Sequence, residues 1–114
     1  MIPSDDGAAC PSSLCIGPDG SVSLRLTGEI DVSNADQVEA ALKEATREGP
    51  EELLLDLRAV TCLDTAGLRL ILLAHRWQKR AGHALRLLLG EPESAARRVL
   101  EISGLLVLLG LDGA

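Results

Sequence analysis

The chain has 114 residues, a formal charge of −6, 46% hydrophobic and 25% charged residues, and one aromatic side chain, Trp77. That length supports one domain with its own core, and that balance is globular rather than disordered. The core must be aliphatic. Missing aromatics count against base-stacking platforms and sugar sites, negative charge opposes a nucleic-acid partner, and no apolar run reaches the ~18 residues of a membrane span.

Residues 1–9 read as a flexible arm ahead of a domain spanning 10–114. "MIPSDDGAAC" carries two acids and no basic cluster, unlike a signal peptide, so the expected setting is soluble and cytoplasmic. Cys10, Cys15 and Cys62 are an odd set without paired short spacings, and His75 and His83 lie far along the chain. Free thiols are expected, with no metal site and no cofactor; Cys62 reads as a small buried hydrophobe.

In "SLCIGPDGSVSLRLTG", Val22, Leu24 and Leu26 alternate with polar residues, the period of a half-buried strand. "GPDG" is turn chemistry joining it to a short strand at 14–16, which makes a hairpin. "SNADQVEAALKEATREGP" then changes period. Val38, Ala41, Leu42 and Ala45 form a helical stripe, with Ser33 expected as N-cap, Asp36 completing a capping box, and Gly49 and Pro50 ending the helix. "ELLLDL" at 52–57 is a continuous apolar run, expected as a central strand covered on both faces.

Residues 66–81 read as a second helix with Leu68, Ile71, Leu72 and His75 on its apolar face, stopped by Gly82. "ALRLLL" at 84–89 is another strand. Pro92 is expected in the first turn of a third helix that runs to about Ser103, with Gly104 as its stop. "LLVLLGL" fits either an edge strand or an apolar tail. The fold class is therefore α/β, a mixed central sheet with an N-terminal hairpin followed by alternating helices and strands.

The stretch "CLDTAGLRLIL" stands out, because Asp64 and Thr65 interrupt an apolar run where strand hands over to helix. Two readings compete. Either residue could simply cap the helix. Alternatively the Thr65 hydroxyl points outward and accepts a phosphoryl group, which a helix N-terminus tolerates and an acidic or apolar partner does not.

"LTGEIDVSNADQVEAAL", "LLLDLRAVTCLDTAGLRLIL" and "ARRVLEISGL" together resemble the anti-sigma factor antagonists of the STAS domain family. The resemblance covers about residues 14–105, with the motifs in order. It implies a single STAS domain that binds an anti-sigma factor, a kinase of histidine-kinase-like ATPase fold, and so frees a sigma factor for transcription. The kinase phosphorylates the residue after the motif's Asp, here Thr65, and a protein phosphatase reverses it. Gly28, Glu29, Ile30 and Asp31 match the family's G-E-[IL]-D, which assigns Asp31 to the docking rim. Asp64, Ala66, Gly67, Leu68 and Arg69 complete the expected contact surface. Two positions depart from the pattern: the usual acceptor Ser is Thr65, and the usual next Ser is Ala66. A Thr acceptor also occurs in STAS subunits of lipid-transporting ABC systems, so a transporter subunit and a stress-complex scaffold stand as alternatives.

No catalytic constellation accompanies these residues. Glu29 and Asp31 have no nucleophile beside them, "GEPES" lacks a phosphate-cradling pattern, and His75 lies about three turns beyond Thr65. "HRWQKRAGH" is a basic cluster around Trp77, either a solvated helix face or a contact surface. His83 reads as a solvent-side loop residue.

Overall fold

The computed structural model describes residues 11–105. Its elements are β1 (Ser12–Ile16), β2 (Val22–Ile30), α1 (Ala35–Arg47), β3 (Glu52–Leu63), α2 (Thr65–Arg80), β4 (Ala84–Leu88) and α3 (Ala95–Ser103). The arm at 1–9 lies outside the described residues. So does the "LLVLLGL" segment, except Leu105, which packs on the core.

The strands form one mixed sheet in the order β1-β2-β3-β4. β1 and β2 pair antiparallel, with Leu14 opposite Leu24 and Ile16 opposite Val22. The hairpin turn closes as Gly17 donates to the Ser21 carbonyl at 2.8 Å and Gly20 to that of Gly17 at 3.0 Å. β2, β3 and β4 are parallel, so α1 and α2 are return crossovers that run side by side in one direction.

Alternation puts Val22, Leu24, Leu53, Leu55, Leu85 and Leu87 on one face, all buried. The opposite face is not sealed. Leu54 is only half-buried there, Arg25 and Arg86 are exposed, and Asp56 is held by Arg58. The expected two-sided cover of 52–57 is thus not met; Leu54 tolerates one open face because its neighbours supply polar side chains.

β3 also runs six residues past the apolar stretch. Between Arg25–Asp56 and Thr27–Ala59, and again between Gly28–Val60 and Glu29–Cys62, its register against β2 slips by one residue. Each slip is a bulge, which bends the strand and breaks simple alternation. Gly28, at φ +79°, accommodates the second. Cys62 consequently faces solvent rather than the core.

The cap of α1 differs from expectation. Helical geometry starts at Ala35 with Asn34 at the cap position, and no side chain caps it. Ser33 instead donates to Asp31, while Asn34 reaches back to the Glu29 carbonyl at the end of β2. Val38, Leu42 and Ala45 are buried as expected, and Ala41 packs on the core from its edge. α3 is capped by Ser94, which accepts from Arg97 N at 3.2 Å, so Pro92 lies in the turn before it. Gly104 ends α3 at φ +74°.

On α2 the buried face is Gly67, Leu70, Ile71, Ala74 and Gln78. The expected stripe through Leu68, Leu72 and His75 is only half-buried. The helix is rotated because Gly67 faces inward: a Cβ there would overlap the Leu63 side chain and sit 3.3 Å from Ile30 Cγ2. At the far end Gln78 Nε2 donates to the carbonyls of Ala84 at 2.7 Å and Pro50 at 3.2 Å. A buried amide satisfied in this way fixes the helix's rotation as firmly as an apolar contact. His83 is half-buried behind it rather than a solvent-side residue, and its Nδ1 finds no partner among the described residues.

Candidate functional site

The site is built where β2 and β3 end. Ile30 and Leu63 are register partners there, and Asp64 N donates to the Ile30 carbonyl at 3.3 Å, tying both loops into one rim. Such carboxyl-end rims are where parallel sheets present residues to ligands and partners.

Asp64 caps α2. Its Oδ1 accepts from Ala66 N at 2.9 Å and Gly67 N at 3.2 Å, with the backbone extended at φ −104°. Its carbonyl accepts from Leu68 N at 3.0 Å. This decides between the two capping candidates. Thr65 is the first helical residue, exposed, and its hydroxyl makes no hydrogen bond among the described residues. The capping chemistry is complete without it.

The other rim residues differ in access. Ala66 and Leu68 are half-buried, and Leu68 leans on the core. Gly67 is buried, so its part is to let the helix approach the sheet. Arg69 is exposed one turn after Thr65 and pairs with Glu39 of α1 at 3.9 Å.

Asp31 lies on the neighbouring loop, in a local network. It accepts from Ser33 N at 2.9 Å and from the Ser33 hydroxyl, while its own N–H donates to Asn34 Oδ1 at 3.0 Å. Asn34 Nδ2 in turn donates to the Glu29 carbonyl at 2.7 Å. The Ser33 side chain foremost, then its backbone N–H, hold the Asp31 carboxyl below its usual pKa. Asp31 therefore shapes the loop, and the loop holds Val32 out at 81% exposure. Val32 was missed by periodicity, which assigns no role to one apolar residue in a polar loop; "DVSN" is the signal.

Among the described residues no side chain hydrogen-bonds the Thr65 hydroxyl. His75 lies ten residues along α2, about 15 Å along its axis. Among the described residues no three His, Cys, Asp or Glu side chains group as a metal site requires. The rim offers an exposed hydroxyl at Thr65, an exposed apolar side chain at Val32 and the Arg69–Glu39 ion pair.

The chain belongs to the STAS domain family, whose match spans residues 16–111. Over 88 residues it is 34% identical to BtrV of Bordetella bronchiseptica, assigned as an anti-sigma factor antagonist, covering 77% of this chain and 74% of BtrV. The crystal structure of an anti-sigma factor antagonist from Mycobacterium paratuberculosis superposes with a TM-score of 0.76 at 25% identity, over 88% of this chain and 82% of that one. The Bacillus protein SpoIIAA in its phosphorylated form shares the fold, with a TM-score of 0.63 at 24% identity over 82% and 84% of the two chains.

Among the described residues no helix is long and apolar enough to cross a membrane.

Proposed function

We propose that this STAS domain is an anti-sigma factor antagonist switched by phosphorylation at Thr65. The rim of Asp31, Val32, Asp64, Thr65, Ala66, Leu68 and Arg69 docks onto an anti-sigma factor, a kinase of histidine-kinase-like ATPase fold, in the cytoplasm. Docking frees the sigma factor. The kinase then transfers the γ-phosphoryl group of ATP to the Thr65 oxygen, the hydroxyl proton leaving to a base on the kinase and ADP departing. A phosphatase restores the hydroxyl by hydrolysis.

The observation that carries this reading is the division of labour between Asp64 and Thr65: Asp64 takes the N–H groups of Ala66 and Gly67, and Thr65 is left exposed. A phosphoryl group there gains from the helix dipole, by up to ~2 kcal/mol, so the domain stays folded. The same group of about −2 charge repels a docked carboxylate, and against an apolar surface it carries a large desolvation cost. SpoIIAA, captured in both unphosphorylated and phosphorylated forms, supports a fold able to carry the modification. The antagonist names of BtrV and the mycobacterial protein favour this reading over a transporter subunit.

The test is incubation with the purified anti-sigma kinase and ATP, followed by peptide mass spectrometry and titration of both forms against the kinase. One phosphate at Thr65 and weakened binding after its addition are expected. A phosphate elsewhere, or none with an active kinase, overturns the reading.

A further inference from the structure

We propose that the carboxyl ends of α1 and α2 form a second docking surface, which takes an acidic protein segment with an apolar anchor over Trp77. This surface lies at the other end of α2 from Thr65, twelve residues or about 18 Å along the axis.

Its charge is segregated. The chain is acidic overall, yet Arg47, Arg76, Lys79 and Arg80 are all exposed at this end and form no ion pair among the described residues. Elsewhere the cations are mostly engaged: Arg58 with Asp56, Arg69 with Glu39, Arg86 with Glu52, Arg97 with Glu101. Helix dipoles account for part of the cluster, since each carboxyl end carries about half a negative charge. Two helix ends amount to about one charge. The acids at this end, Glu44 and Glu48, line a groove on the β1 side of α1, whereas α2 carries no acid beside Arg76, Lys79 and Arg80. On the α2 side the positive charge therefore stands without an ion pair among the described residues.

Trp77 sits within that field. It is partly buried against the core and lines a groove with Lys43, Thr46 and Arg47 of α1. A second shallow groove, lined by Arg76, Lys79 and Arg80, adjoins it on α2. Tryptophan and arginine dominate the energetics of protein contacts, because both bury large area and keep a polar handle.

Charge complementarity calls for an anionic occupant, and the neighbourhood limits its size. Asp19, Glu51 and Glu52 line the next groove, at the amino-terminal end of the strands. The contact of Gln78 with the Pro50 carbonyl brings α2's last turns against that loop. A duplex backbone or a lipid plane broad enough to cover the patch also meets this acidic rim, and the chain's net charge of −6 repels both. A short acidic peptide segment fits between.

The only aromatic residue reports its own site, so intrinsic fluorescence is the assay. The probe is a short synthetic peptide of Glu with a central Leu pair, compared at low salt with its Lys-for-Glu counterpart. Saturable change in Trp77 emission is expected with the acidic peptide alone, suppressed by added salt. The double variant Arg76→Glu/Arg80→Glu should bind at least about tenfold more weakly, whereas Arg25→Glu, on the open sheet face, should bind as wild type. Should the charge reversal fail to fold, Arg47→Gln/Arg80→Gln serves, with thermal midpoints as the check. Absent saturation, or unchanged affinity in folded charge variants, overturns the proposal. Tighter saturation by phosphatidylserine vesicles or by a short DNA duplex overturns it in favour of a membrane or nucleic-acid surface.

Discussion

Arg69 on α2 reaches across to Glu39 on α1, Nη1 to Oε1 at 3.9 Å, while the other Glu39 oxygen holds Lys43 at 3.6 Å. One carboxylate thus joins the two helices just behind the rim. Because Arg69 follows Thr65 by one turn, this contact also sets the charge next to the proposed acceptor.

Arg69→Glu places a second carboxylate beside Glu39 and close to Asp64. Exposed ion pairs contribute at most about 1 kcal/mol, so a thermal melt should shift little. Titration against the anti-sigma partner should show clearly weakened binding. Wild-type affinity at low salt, where charge is least screened, would move the interface off this turn.

Asp64 and Thr65 should separate cleanly in stability. Asp64→Ala removes the acceptor for two helix N–H groups and should cost about 1 kcal/mol. Thr65→Ala, exposed and unbonded, should stay within about 0.5 kcal/mol. Urea denaturation midpoints measure both. Equal losses would mean that Thr65 shares the cap.

Asp31→Asn should weaken docking or phosphorylation while thermal stability changes less than docking does. The loop network gives this variant a second readout, the protection from hydrogen exchange of the Ser33 amide, which donates to Asp31 Oδ1 at 2.9 Å. Faster exchange with unchanged affinity would restrict Asp31 to shaping the loop.

Gln78→Leu keeps the volume and removes the donor. The Pro50 and Ala84 carbonyls then lose a partner behind a buried surface, at about 1–3 kcal/mol. Urea unfolding should show this loss although the substitution is more apolar. An unchanged midpoint would mean that shape alone orients α2.

Asp56 makes stability depend on acid. Its hydrogen bond from the Arg58 side chain, foremost, holds its pKa below the ordinary 3.8. A carboxylate depressed by folding contributes fully above its unfolded value. The contribution is lost as pH falls from there through the lower folded value. Stability should therefore decline below about pH 3.8, and Asp56→Asn should flatten that part of the curve. Parallel slopes for the two proteins would remove Asp56 from the acid response.

The order of elements and the position of Thr65 were legible in the sequence because their causes are local. Alternation at Val22, Leu24 and Leu26 needs only the pleat of a strand, and the Val38–Leu42–Ala45 stripe needs only the helical turn. "LDTAG" sets an acceptor for helix N–H groups beside a small inward-facing residue, which any helix start would use in the same way.

Contacts distant in sequence decided the rest. Residues 58–63 hide their strand because two bulges against β2 break the alternation that would reveal it. α2 is apolar on more than one side, with Leu68, Leu70, Ile71, Leu72 and Leu73 in succession, so helical spacing alone leaves its inward face undetermined. Two ends settle it: Gly67, where a side chain would overlap Leu63, and Gln78, whose amide meets two carbonyls from other segments. Packing and hydrogen-bond satisfaction between segments are properties of the assembled fold. They turn Leu70, Ala74 and Gln78 inward, leaving Leu68 and Leu72 at the edge and Trp77 straddling core and solvent.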